Sequence, residues 1–381
     1  MPRKKKLPPV DQLGEFAVSA VMAKLTEHLR EDMTDAEKED LVDRVNSAAM
    51  KTMEALLPEL GVQVADSVES KTPRLIKHRR RLRRRFERHL REIWGDALDR
   101  LEAMLHAFLE LGQAYYQEGL RPDVEEPGAL FSALTHLHAR ACRVILEILT
   151  LLEAGLADGA QARWRTLHEI AVVGLVLQEG GGEMADRYLL HEHIADWRAA
   201  ENFEQHVDLL GWEHAPIEEM EELRAQAAEL VKTFGEAFKS DYGWASGLNG
   251  KQRPGIADLE AAVEVEQLRP MAKWANDAVH AGPRGLRSLG WDFDLEDPNV
   301  IPAGMSSAGL SEPGQNTVKS LLLLAGALLT NQPTGDRSAM VWALMTMGRR
   351  AVQAFAAAEE KHAERAYARA DDAIDEADGL A

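Results

Sequence analysis

Cysteine is almost absent from this sequence, because Cys142 is the only one in 381 residues. One cysteine excludes an internal disulfide and fits a reducing compartment, so we expect a cytoplasmic protein. No apolar run approaches the roughly 18 residues that a membrane-spanning helix requires, and the longest, 321–329, is about half that length. The basic residues 3–6 are followed by neither an apolar core nor a small-residue cleavage site, which argues against a secretory signal.

Strand-like alternation is also lacking, and helical periodicity dominates instead. Apolar residues recur at intervals of three and four from Leu130 to Leu152, and again from Trp164 to Leu177. This spacing is typical of helices that bury one face. The run Gly180–Gly182 is predicted to end the second of these helices. We therefore predict an all-α fold with a multi-helix bundle core and a helical N-terminal extension.

Proline, glycine and charge divide the chain into three predicted parts. Residues 1–122 are predicted to form a helical N-terminal extension, in which Pro58 and Pro73 separate successive helices. Residues 128–358 form the predicted helical core domain, and 359–381 form an acidic tail. Within the core, the segment 284–313 is rich in Gly, Pro, Asp and Ser and is predicted to be a long loop of the kind that often carries function.

Positive charge is scarce, with 44 basic against 63 acidic residues and a net charge of −19, which disfavours a surface that binds nucleic acid all over. It is concentrated in 74–91, which holds ten Lys or Arg and a single acid, Glu87. Such a helix repels itself unless anions lie close. The anions could belong to an acidic surface of this chain or a partner subunit, to nucleic acid, or to an anionic membrane surface. The candidate nucleic-acid contacts are Arg79, Arg80, Arg83 and Arg84.

Three further blocks place polar residues beside predicted core residues. Arg165 and Glu169 lie four apart, on one helical face. They form either a structural ion pair or the floor of a binding site. Arg187 and His191 likewise share a face. His280 comes at the end of a helix that Gly282 and Pro283 stop, where the helix dipole favours a charged imidazole.

Metal and cofactor sites are not predicted. His191 and His193 are two apart and point in different directions on a helix, unlike the paired histidines of a zinc protease. There is no cysteine pair that could bind zinc in their place.

The order of these blocks resembles a widespread bacterial family of helical proteins of unknown function. The blocks are Arg165 and Glu169, Arg187 and Tyr188, Tyr242-Gly243-Trp244-Ala245, Ala257-Asp258-Leu259-Glu260 and Val279-His280-Ala281. The resemblance covers about residues 130–335 and leaves out the basic N-terminal third. It implies a helical fold and brings no established activity with it.

The first functional hypothesis is a polar core pocket that binds an anionic ligand. In it, Arg165, Arg187 and His280 supply positive charge and Glu169 orients one arginine. Tyr188 and Trp244 line its walls.

A second hypothesis is a metal-independent ribonuclease. The spacing of Arg187 and His193 is loosely similar to that of helical ribonuclease toxins of prokaryotic defence systems. His191, His193 or His280 would then be the general acid or base, and an arginine would stabilise the phosphorane charge. A third hypothesis is a scaffold whose basic helix docks an acidic protein surface or a second copy of the chain.

Overall fold

In a computed structural model, the described residues are 22–23, 26–28, 33–120, 128–283, 304–330 and 334–378. They contain helices and turns and no strand, which confirms the all-α prediction. The helices are α1 (Asp35–Gly119), α2 (Ala129–Glu153), α3 (Ala157–Leu190), α4 (Glu192–Glu204), α5 (Val207–Leu210), α6 (Ile217–Phe234), α7 (Ile256–Ala262), α8 (Arg269–Val279), α9 (Ser311–Thr330) and α10 (Gly335–Asp378). Within this part of the chain, no helix is long and apolar enough to cross a membrane.

The longest helix, α1, continues through Pro58 and Pro73, where separate helices were predicted. Each proline lacks one backbone N–H and so removes one hydrogen bond, but the bonds on either side carry the helix through. The chain divides into two compact units, Met1–Arg84 and Arg85–Ala381. Residues 85–119, predicted as part of the N-terminal extension, therefore belong to the second unit. The predicted domain division stays a prediction.

The centre of the second unit is the antiparallel pair α2 and α3, against which α9 packs. Their apolar faces are buried as the periodicity predicts, with Leu134, Ile145 and Leu167 at 0% exposure. Gly174 allows α9 to approach α3, because a Cβ there would lie 2.6 Å from Cδ1 of Leu324. The close packing of these three helices provides a rigid frame for the side chains described below.

The second half of α1 adds large apolar side chains to the same core. Trp94 and Phe108 are fully buried, and Trp94 donates from Nε1 to the carbonyl oxygen of Ser307 at 3.0 Å. Near the end of the helix, Glu118 forms an ion pair with Arg337 of α10. This half of α1 is therefore anchored by contacts that are far apart in sequence.

Other helix ends depart from the sequence prediction in detail. Gly181 adopts a positive φ of 67°, which interrupts α3 where the glycine run predicted a stop. The predicted helix 183–210 is divided by turns after Leu190 and after Glu204, and α10 runs on to Asp378. Most of the predicted loop 284–313 lies outside the described residues, as do the last three residues of the predicted acidic tail.

Candidate functional site

The predicted pair on α3 lies beside α8 and the loop 235–255, which connects α6 to α7. Nη1 of Arg165 is 4.0 Å from Oε2 of Glu169, and the two side chains are 37% and 39% exposed. Arg165 Nε donates to Oδ1 of Asn276 at 2.6 Å, and the Tyr242 hydroxyl donates to Oε1 of Glu169 at 2.7 Å. Burial, followed by the charge of Glu169, raises the pKa of Tyr242 and keeps this phenol a donor.

Arg187 and Tyr188, from the second predicted block, contact other residues of the loop 235–255. Arg187 donates from Nη2 to the carbonyl oxygen of Ser246 at 3.0 Å, and its guanidinium lies 5.4 Å from the centre of the Phe234 ring. Tyr188 packs edge-on against Trp244, with ring centres 5.1 Å apart. Burial raises the pKa of the Tyr188 phenol. These contacts show the predicted ligand-binding residues attaching loop 235–255 to α3.

The three candidate histidines have different surroundings. His191 is buried and donates from Nε2 towards the carbonyl oxygens of Phe238 and Ser240, at 3.0 and 2.9 Å, while burial lowers its pKa. His193 is half-buried near the start of α4. His280 is exposed at the end of α8, and within the described residues its side chain makes no hydrogen bond or ion pair.

The basic segment of α1 is exposed throughout 74–85. This includes all four candidate nucleic-acid contacts, Arg79, Arg80, Arg83 and Arg84. Exposure is compatible with each anionic partner considered for this helix, so the nucleic-acid interpretation stays a prediction.

A cavity that the sequence analysis missed lies between α8, α9 and α10. Its volume is 380 Å³, which lies within the range of small-molecule sites. Its lining residues are Met271, Trp274, Gly309, Ser311, Glu312, Gln315, Asn316, Lys319 and Glu359. The wall therefore combines two apolar side chains with one cation, two carboxylates and two amides.

Two of the lining residues each carry a polar atom that is buried without a hydrogen-bond partner in the described structure, Nδ2 of Asn316 and Oε2 of Glu359. Asn316 is 2% exposed, and its Oδ1 accepts from Nζ of Lys319 at 3.2 Å. Because lysine can only donate, that bond fixes the amide orientation and turns Nδ2 away from the lysine. Two residues that line one cavity therefore carry an unused donor and an unused acceptor.

Beside the cavity, α3 contributes a third polar group. Gln161 donates from Nε2 to Oε1 of Glu312 at 3.3 Å, and its own Oε1 is buried without a partner among the described residues. Desolvation of the carboxyl raises the pKa of Glu312, against the effect of Lys319, although much of the side chain is exposed. The cavity lining therefore holds more carboxylates, Glu312 and Glu359, than cations, of which Lys319 is the one among the described residues.

A buried charged network, also missed, lies elsewhere on α3. His168 Nε2 is 2.9 Å from Oε1 of Glu260, and Arg269 Nη1 is 3.1 Å from Oε2 of the same carboxylate. The His168 and Glu260 side chains are each 2% exposed. Two sequence signals pointed to this network: His168 follows the buried Trp164 by one turn, and Glu260 ends the block Ala257-Asp258-Leu259-Glu260 that carries the family resemblance. Within the described residues, no group of three His, Cys, Asp or Glu could hold a metal ion.

Fold and cavity together define an all-helical protein with a polar cavity at the edge of its central bundle. Residues 131–297 match the Family of unknown function (DUF5677). This confirms the predicted resemblance to a helical family of unknown function. No curated protein and no solved structure matches the chain. The matched segment contains α8 with Met271 and Trp274, while α9 and α10 lie after it.

Proposed function

We propose that the second unit binds a small zwitterionic ligand, with an anionic group and an ammonium group, in the cavity between α8, α9 and α10. The observation that carries this proposal is a pair of buried, unpartnered polar atoms on residues that line the cavity, the donor Nδ2 of Asn316 and the acceptor Oε2 of Glu359. Leaving a polar atom buried and unpaired costs about 1–3 kcal/mol. A ligand that bonds to both atoms removes that cost.

The charges on the wall support the class of ligand. Lys319 and the Asn316 amide suit a carboxylate, and Glu359 and Glu312 suit an ammonium group. Trp274 and Met271 provide an apolar surface for the rest of the ligand. Two carboxylates and one lysine line the cavity, so a ligand with only negative charge would be repelled more than it is attracted. The proposed ligand therefore keeps the anionic group predicted from the sequence and carries an ammonium group as well.

This proposal moves the pocket away from the residues first predicted to form it. Arg165 and Arg187 are engaged by Asn276 and by the carbonyl of Ser246, and His280 is exposed. The ribonuclease alternative and its defence role stay predictions, since no contact among the described histidines favours them. We place the ligand-binding activity in the cytoplasm because of the single, buried Cys142.

Thermal unfolding of the full chain with individual free amino acids tests the proposal. Each amino acid is compared with its N-acetyl derivative, which lacks the ammonium group, and with its amide, which lacks the carboxylate. We expect at least one free amino acid to raise Tm while both derivatives fail, since a ligand at a hundredfold excess over Kd stabilises the folded state by about 2.7 kcal/mol.

Variants then locate the site. Asn316→Leu and Glu359→Gln should abolish the rise in Tm, whereas Arg165→Gln, in the cluster first predicted, should leave it intact. No response to any amino acid, or a response lost only in Arg165→Gln, would overturn the assignment to this cavity.

A further inference from the structure

The most exposed large apolar side chains of the described structure lie in one short stretch of the second unit. Leu209, Ile217 and Trp212 are 87%, 72% and 68% exposed, which are the three highest values among the large apolar residues described. Leu210 is 54% exposed. These four side chains form the apolar patch. Exposed apolar residues that are scattered singly need no explanation, whereas a group of them rimmed by polar residues marks an interaction site.

The backbone around the apolar patch has a defined turn. Gly211 adopts a positive φ of 67° at the end of α5, and its N–H donates to the carbonyl oxygen of Asp208 at 3.2 Å. The N–H of Trp212 donates to the carbonyl oxygen of Val207 at 3.3 Å, which completes a Schellman motif. Trp212 therefore returns to the short helix that carries the two leucines of the patch, and its ring centre lies 5.7 Å from that of Phe203.

The same turn has its own polar and apolar support. The imidazole of His214 lies between Oε2 of Glu204, at 2.8 Å, and Oδ1 of Asp208, at 3.2 Å. Val207 and Met220 are its buried apolar residues, at 0% and 5% exposure. The two leucines and the isoleucine of the patch point away from this support into solvent, so the fold of the turn gives no reason for them to be apolar.

The charge around the apolar patch is negative. Residues 199–223 hold eight Asp or Glu and no Lys or Arg. Three of these acids are engaged by a neighbouring arginine or histidine. Glu213, Glu218 and Glu219 are exposed and form no ion pair with another described residue. Two of them directly follow a residue of the patch in the chain, so apolar surface and unneutralised negative charge lie side by side.

We propose that the apolar patch docks a basic, amphipathic segment of a partner protein. Apolar residues on one face of that segment would cover the patch, and its Lys or Arg residues would pair with the exposed glutamates. Nucleic acid and anionic membrane surfaces carry the same sign of charge as this surface and are repelled by it. The surface therefore fits a protein segment of opposite charge.

Binding of a synthetic peptide to the full chain tests the proposal. The probe is an amphipathic helix with leucines on one face and lysines on the other, compared by calorimetry with a peptide of the same composition in scrambled order. We expect the amphipathic peptide to bind on the order of tenfold more tightly, because only it presents a continuous apolar face. Equal affinities would show attraction by net charge alone and would overturn the proposal.

Two exposed tryptophans provide matched variants. Trp212→Ser should weaken binding of the amphipathic peptide on the order of tenfold or more, since tryptophans at the centre of an interface contribute strongly. Trp342, on α10, is 65% exposed, and Trp342→Ser should leave the peptide Kd nearly unchanged. Circular dichroism should show both variants folded. Equal losses of affinity in the two variants would place the peptide elsewhere and contradict the proposal.

A charge variant tests the rim without altering the apolar patch. Glu218→Gln combined with Glu219→Gln should weaken peptide binding at low salt and reduce its salt dependence, because two charges that attract the lysines are removed. An unchanged salt dependence would show that these glutamates do not face the bound segment and would count against the proposal.

Sedimentation and vesicle binding distinguish other occupants of the patch. We expect Trp212→Ser to have the same oligomeric state and the same weak affinity for anionic vesicles as the unmodified chain. A dimer that this substitution dissociates would make a second copy the occupant, and vesicle binding that it abolishes would make a membrane the occupant. Either result would overturn the assignment to a partner protein.

Discussion

At the scale of single residues, Glu169 and Glu260 are two carboxylates in different surroundings, the first more than a third exposed and the second 2% exposed. Arg165 and Glu169 have the spacing of an ion pair, yet they are more than a third exposed and 4.0 Å apart. Exposed pairs of this kind contribute about 0–1 kcal/mol. Glu260, which has no charged partner at helical spacing in the sequence, is the carboxylate that the fold buries between His168 and Arg269.

A matched pair of substitutions at these carboxylates tests the contrast. In Glu260→Gln, the amide oxygen can accept from only one of the two donors, and its NH₂ faces the other. We expect a loss of about 1–3 kcal/mol in the free energy of unfolding. Glu169→Gln, which still accepts from Tyr242, should lose less than about 1 kcal/mol. Urea denaturation of both variants decides the matter, and a larger loss for Glu169→Gln would show that the buried network adds nothing.

The cavity between α8, α9 and α10 could not be predicted from local sequence patterns. Trp274, Asn316 and Glu359 come from three helices, and no local spacing links residues 42 and 43 positions apart. Asn316 also lies in a helix whose neighbours are nearly all buried, where a polar residue at one position gives no periodic signal. Sequence patterns identify charged residues that lie one turn apart on the same helix. They do not identify residues from different helices that share a cavity, because tertiary packing brings those together.

At the scale of helices, periodicity predicted most of the fold. α2 and the first part of α3 were predicted because their apolar residues recur every three or four positions and are buried in the structure. The prolines of α1 misled the prediction, because a proline disfavours a helix locally while the rest of the helix can outweigh it. Helix ends in 183–210 were missed because no glycine or proline marks the turns at His191 and His206.

The packing of α1 on α2 predicts that the same Gly→Ala substitution destabilises the protein at one position of α1 and stabilises it at another. A Cβ at Gly112 would lie 1.9 Å from Cε1 of His138, whose ring is buried and hydrogen-bonded to the Phe108 carbonyl oxygen at 2.8 Å. A methyl group at 112 would force this buried, hydrogen-bonded ring to shift, so Gly112→Ala should destabilise the protein by about 1–3 kcal/mol. At Gly95 of the same helix, the nearest atom is 3.8 Å away, and Gly95→Ala should stabilise it by about 0.5–1 kcal/mol. Equal changes in Tm for the two variants would refute the close packing of α1 against His138.

At the scale of the whole molecule, the two compact units and the predicted domains place their boundaries differently. The boundary between the two compact units falls between Arg84 and Arg85, inside a continuous helix, whereas the proline and glycine residues predicted a boundary between 122 and 128. Among the described residues, the members of the hydrophobic core cluster begin at Leu90, with Phe86 packed against it. The segment 85–119 therefore supplies core side chains to the second unit.

Two truncated chains distinguish the boundaries. A chain of residues 85–381 should fold and unfold in one cooperative transition near the Tm of the full chain. A chain of residues 123–381 should fail to fold, because it lacks fully buried side chains that contribute roughly 1.5–3 kcal/mol each, against a typical total stability of about 5–15 kcal/mol. The missing set includes Leu90, Trp94, Leu98, Leu101, Met104 and Phe108. Circular dichroism and calorimetry measure both. Cooperative unfolding of the shorter chain at the same Tm would restore the boundary predicted from the sequence and show that the packing of α1 contributes little to the second unit.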